Sequence, residues 1–151
     1  MSYELKLTRV FCADKADVFN YFTNPALLEC WLYPDGYDLK VPYFENNLGG
    51  KYKYEHRNEK EELFICTGIF EDYETNKKLV TLEKVTNPKG EVFFSNLESQ
   101  FLFLDDPRGC RLELELKGLN NEMDVEECRK GWEQCFNRLD SLFEQFTEST
   151  L

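Results

Sequence analysis

The stretch from Asp124 to Phe146 constrains this chain most, because it reads as one long amphipathic helix. Val125, Cys128, Trp132, Cys135, Phe136, Leu139, Leu142, Phe143 and Phe146 recur at steps of three, four or one. That spacing gathers them into a single apolar stripe. Glu126, Arg129, Lys130, Glu133, Asn137, Arg138, Asp140, Ser141 and Glu144 fall on the opposite face. Asp124 followed by Glu127 has the capping-box spacing, with Asp in place of Ser or Thr. At 1.5 Å per residue the helix is about 33 Å long. Burying its stripe is worth on the order of 10–20 kcal/mol as an upper bound. A stripe of that size needs a broad apolar surface to lie on.

The rest of the chain supplies strands. Tyr3 to Phe11 alternates polar and apolar residues, with Leu5, Leu7 and Arg9 on one face. Asp14 reads as the N-cap of a short helix running to about Phe22. Asn24-Pro25 ends it, and Pro25 suits the first turn of a second short helix, Ala26 to Trp31. Strands then follow at Tyr37–Glu45, Lys51–Arg57, Glu62–Tyr73, Lys78–Val85, Val92–Leu104 and Arg111–Lys117. Pro42 marks an edge or a bulge, and Gly68 marks a bulge or bend. Gly49-Gly50 meets a turn requirement and is no phosphate loop, because no helix follows it. Successive short connections imply an antiparallel sheet. The expected class is α+β: a curved antiparallel sheet of six or seven strands, wrapped around the long C-terminal helix.

The length, 151 residues, fits a single domain spanning 1–151. A net charge of −11 argues against nucleic acid and anionic membrane surfaces as partners. No apolar run is long enough to span a bilayer, and the alternating N-terminus does not read as a signal peptide. The six cysteines contain no Cys-x-x-Cys pair, and the only histidine is His56, so neither a metal nor a cofactor is expected. Cys128 and Cys135 are about 10 Å apart along the helix, too far for a mutual disulfide. Reduced, partly buried thiols and a cytoplasmic location are the reading.

Several stretches together resemble a known family. VFNYFTNPALLECWLYP, from Val18 to Pro34, is similar to an opening helix pair ending in Trp-x-x-Pro. GGKYKY from Gly49 is similar to a Gly-Gly-x-aromatic strand start, and GIFEDYETNKKLV from Gly68 to a Gly-x-aromatic strand, turn and Leu-Val strand. Gly131-Trp132 with Leu139 resembles the Gly-Trp of a last helix. The element order resembles the helix-grip fold of the START-like, birch-pollen-allergen-like (SRPBCC) superfamily. Within it, the signatures look like the family named after the C-terminal domain of the activator of the heat-shock-protein-90 ATPase.

The resemblance implies a cavity between the long helix and the concave sheet. Tyr52, Tyr54 and His56, alternating on one strand face, are the first candidates to line it. Trp31, Tyr33 and Tyr43 near the helix pair, and Trp132 on the long helix, are the candidates to close it. The same aromatic stripe also fits plain core packing. Two Tyr and a His side by side favour a pocket, since each needs a hydrogen-bond partner if buried dry. Gly131 in mid-helix reads as close packing, the alternative being an opening to the cavity.

Three functions stay open. The first is a protein binding an apolar or aromatic small molecule. The second is an interaction module with a chaperone partner, implied by the family name. The third is a cavity enzyme of cyclase or hydrolase type, with His56 as acid or base oriented by Glu45 or Glu98. No motif marks an enzyme, and no catalytic residue is assigned. Homodimerisation through a sheet edge or outer face is compatible with all three.

Overall fold

The computed structural model describes residues 3–149, and the side chains of residues 3–145. Strand β1 (Tyr3–Phe11) is followed by helices α1 (Lys15–Thr23) and α2 (Pro25–Leu28). Strands β2 (Tyr37–Phe44), β3 (Lys51–Asn58), β4 (Leu63–Glu74), β5 (Lys78–Thr86), β6 (Val92–Asp106) and β7 (Gly109–Leu119) come next, and helix α3 (Glu122–Ser149) ends the series. The seven strands form one antiparallel sheet in the order β1-β7-β6-β5-β4-β3-β2. This is the expected helix-grip arrangement, with α3 gripped by the sheet. Helix α2 is shorter than the sequence suggests: one turn, with Asn24 accepting from the Ala26 N–H and Pro25 in its first turn.

Register shifts give the sheet its curvature. They fall between Tyr3 and Glu4, between Lys40 and Tyr43, between Phe70 and Asp72, and in the β5–β6 pairing around Val85. Pro42 therefore sits where expected, at an irregularity of an edge strand. Gly68 does not mark a bulge. It pairs in register with Tyr52 on β3 and with Glu83 on β5, and the shift in β4 lies beyond Phe70.

The cap of α3 also differs from expectation. Asn121 accepts from the Asp124 N–H at 2.8 Å, and its carbonyl accepts from Val125, so Asn121 starts the helix and Asp124 lies in its first turn. Asp124 thus adds negative charge at the positive end of the helix dipole.

The helix stripe divides in two. Phe136, Leu139 and Phe143 are buried against the β1 end of the sheet, where Phe11 meets Phe136 and Phe143 edge-on at 5.7 and 5.8 Å. Arg9, on the inner face of β1, binds Asp140 and donates to Asn137 Oδ1 at 3.1 Å. The preceding turns present Cys128, Gly131, Trp132 and Cys135 to strands β3 to β6. Three of those four are small. Close packing fills the Phe/Leu half, and the small residues leave space in the other. Phe146, the last of the predicted stripe, lies outside the described side chains.

Candidate functional site

That space is a cavity of about 250 Å³. Its walls are Phe22, Leu28, Leu32, Tyr33 and Pro34 on one side and Cys128, Gly131, Trp132 and Cys135 on another. The sheet supplies the floor: Tyr52, Tyr54 and His56 from β3, Cys66 and Phe70 from β4, Leu79, Thr81, Glu83 and Val85 from β5, and Ser99 and Phe101 from β6. Strand alternation explains each set, since residues two apart share a face.

Five of the seven predicted residues line this space: Tyr33, Tyr52, Tyr54, His56 and Trp132. Two do not. Trp31 is 0% exposed and packs in the solid core, 4.7 Å from Phe22, with its indole N–H donating to the Tyr21 carbonyl at 3.0 Å. Tyr43 is 46% exposed on edge strand β2. Gly131, expected to pack closely, borders the cavity instead, and a Cβ built on it meets nothing within 4 Å.

Glu83 is the residue that sequence reasoning missed. Its carboxylate accepts hydrogen bonds from the Tyr52 phenol and the Cys66 thiol. It sits deep in the molecule and keeps part of its surface open to the cavity. Burial pushes the Glu83 carboxyl up from its ordinary range, and the two hydrogen bonds offset part of that. The phenols of Tyr52 and Tyr54 and the Cys66 thiol are pushed well up, first by burial and then by the Glu83 charge. The signal was in the sequence: Leu79, Thr81, Glu83 and Val85 alternate, placing a hydroxyl and a carboxyl on an otherwise apolar inner face.

Thr81 is 5% exposed, and its Oγ1 has no hydrogen-bond partner among the described residues. It pairs across strands with buried Ser99, and both border the cavity. Buried polar side chains are nearly always bonded, so Thr81 is an exception in this wall, and its oxygen is sealed from the space.

His56 has a different task. Its Nε2 lies 3.0 Å from the Leu32 carbonyl, which can only accept, so that nitrogen carries the proton. Burial lowers its pKa; the Leu32 bond and the nearby Asp38 charge oppose this. Neither proposed orienting residue reaches it: Glu45 accepts from the Lys51 N–H at 2.8 Å, and Glu98 is exposed on the outer face of β6. From the other side, Arg138 on α3 donates to the Tyr33 carbonyl at 2.6 Å and to Asp35 Oδ1 at 2.8 Å, with its guanidinium 4.2 Å from the Tyr33 ring centre. Gln134 accepts from the Asp35 N–H at 2.9 Å. Residues 32–34, one wall of the cavity, are thus held, together with Asp35, between β3 and α3.

The lining thiols are poor nucleophiles. Burial pushes Cys128 up to about 11 and Cys135 to about 12, so both are neutral near pH 7. Among the described residues no three His, Cys, Asp or Glu side chains gather into a metal-binding group. No described helix is long and apolar enough to cross a membrane.

A curved sheet gripping a long C-terminal helix, with a half-open apolar cavity between them, defines a helix-grip domain. The sequence model of the Activator of Hsp90 ATPase homolog 1-like protein family matches residues 13–144, and the chain belongs to that family. Solved structures agree in fold. A protein from Chromobacterium violaceum is 22% identical, with 93% of this chain and 96% of that one covered and a TM-score of 0.85. The AHSA1 protein from Silicibacter pomeroyi is 16% identical, with 95% and 99% covered and a TM-score of 0.81. A protein from Rhodobacter sphaeroides is 19% identical, with 94% and 93% covered and a TM-score of 0.81. No curated protein matches the chain.

Proposed function

We propose that this protein binds an apolar or aromatic small molecule in the cavity between α3 and strands β3 to β6. The observation that carries this is an apolar space of about 250 Å³ whose polar groups converge on one floor. Ligand sites have this character: mostly apolar walls, with a few placed polar groups that fix orientation. A structural core would have been closed instead by larger residues at positions 128, 131 and 135. The arrangement supports binding over catalysis. His56 is committed to the Leu32 carbonyl, and the lining thiols are held neutral.

The test is to denature the purified protein, extract it and search for a stoichiometric small molecule by mass spectrometry. A thermal-shift screen of lipids and aromatic metabolites accompanies it. A bound compound that raises the melting temperature with concentration supports the reading. Absence of both in the wild-type protein counts against it.

A second reading, a module that docks on a chaperone, is favoured by the exposed pair Val92 and Phe93 at the start of β6. Stimulation of the Hsp90 ATPase that disappears in Phe93→Ser would support it.

A further inference from the structure

We infer that the cavity selects a compound of about one ring that carries a hydrogen-bond-donating head, a hydroxyl or an amine, and rejects a carboxylate. This deepens the binding function proposed above and rests on it.

Size comes first. An apolar protein cavity of roughly 150 Å³ holds one benzene. In proportion, about 250 Å³ takes about ten non-hydrogen atoms, a ring with a short tail. The walls are suited to a ring: Phe22, Tyr54, Phe101 and Trp132 present aromatic surface around the space.

Polarity comes next. Tyr52 and Cys66 both donate to Glu83, and each has one hydrogen to give. A carboxylate has about four lone-pair sites, so Glu83 retains acceptor capacity on the part of its surface open to the cavity. A ligand hydroxyl donates to Glu83 there. A ligand ammonium donates as well and pairs with the Glu83 charge. A ligand carboxylate has only acceptors to offer Glu83 and sets two negative charges together between apolar walls, where they are screened less than in water. No lysine or arginine lines the cavity to offset that.

A matched series on one scaffold tests the inference. 2-Phenylethanol, 2-phenylethylamine, phenylacetate and ethylbenzene are titrated into the full chain at pH 7.4 by isothermal calorimetry. The alcohol and the amine are expected to bind about ten-fold or more tightly than ethylbenzene, the factor of one hydrogen bond to a charged acceptor. Phenylacetate is expected to bind more weakly than ethylbenzene. In Glu83→Gln the amine should lose its margin over ethylbenzene, and phenylacetate its handicap. If phenylacetate binds as well as the alcohol and amine, or the amine keeps its margin in Glu83→Gln, the head-group selectivity is wrong while the binding function stands. If none of the four binds at millimolar concentration, the cavity is not a small-molecule site, and the proposed function falls with the inference.

Discussion

Tyr52 on β3 reaches across an entire strand to donate its phenol hydrogen to Glu83 on β5. The strand between them, β4, contributes Gly68 at the crossing, paired with both. The bond gives a buried carboxyl a donor and a buried phenol an acceptor, so each group's burial depends on the other. Tyr52→Phe should therefore cost about 1–3 kcal/mol, since it strands part of Glu83 while removing no apolar contact. Urea unfolding of the two proteins checks this. An unchanged midpoint would mean that Cys66 and water satisfy Glu83 without the phenol.

Gly68 is required by that bond. A Cβ at position 68 would lie 2.2 Å from Tyr52 Cζ and 2.4 Å from its Oη. Tyr52 has little room to yield. It is 1% exposed and is flanked by Tyr54, Phe70 and Phe44 at ring distances of 4.7, 5.3 and 5.7 Å. Gly68→Ala should destabilise the fold by about 2–3 kcal/mol, a typical overpacking penalty, although alanine suits a strand better than glycine in general. In the background of Tyr52→Ala the same substitution should be nearly neutral or stabilising. A double-mutant cycle measured by denaturation decides it, with additive effects as the contrary result.

These relationships show which parts of the molecule the sequence makes readable. Period-two and period-3.6 patterns concern neighbours along one element, so all seven strands and α3 could be read directly. So could the shared face of Tyr52, Tyr54 and His56. Pairings between distant positions leave no such trace. Tyr52 and Glu83 are 31 residues apart, and Arg138 and Asp35 are 103 apart. Arg138 therefore read as one residue of a solvated face when it clamps a cavity wall. Gly131 misled for a related reason: a glycine in a helix is the same letter whether a strand or a void lies opposite, and only the volumes across the gap decide. Trp31 and Tyr43 lie near the helix pair that borders the cavity, but one turns into the core and the other lies on an edge.

The two titrating groups of the cavity should pull stability in opposite directions with pH. The folded-state pKa of His56 lies below its ordinary 6.5, so the unfolded chain binds that proton more readily. Its contribution is complete above about 6.5 and is lost as pH falls through the folded value. The folded-state pKa of Glu83 lies above 4.5, so the folded chain holds that proton more readily. Its contribution is complete below 4.5 and is lost as pH rises through the folded value. Unfolding free energies from pH 4 to 8 read both. His56→Gln, whose amide can still donate to Leu32, should gain on the wild type as pH falls from 7 to 5. Glu83→Gln should gain on the wild type as pH rises from 4 to 8. Parallel curves for either variant would show that the residue titrates as it does in the unfolded chain.

Gly131 offers the cleanest separation of stability from binding. Glycine inside a helix costs about 1 kcal/mol against alanine, and here no neighbour requires it, because a Cβ would meet open space. Gly131→Ala should therefore stabilise the fold by about 1 kcal/mol and raise Tm by about 2–4 °C, the shift expected for a domain of this size. Gly131→Phe carries the argument further. Its ring would enter the cavity beside Trp132, displacing space and not packed atoms, so the protein should fold and remain as stable as the wild type within about 1 kcal/mol. The same ring should abolish binding of 2-phenylethanol. Differential scanning calorimetry with and without the alcohol separates the outcomes. Retained binding in a folded Gly131→Phe protein would place the alcohol elsewhere on the molecule. A large loss of stability in Gly131→Ala would mean that the wall at position 131 is closed in solution. If both expectations hold, the fold keeps a glycine where it weakens the helix because the space beside it is used.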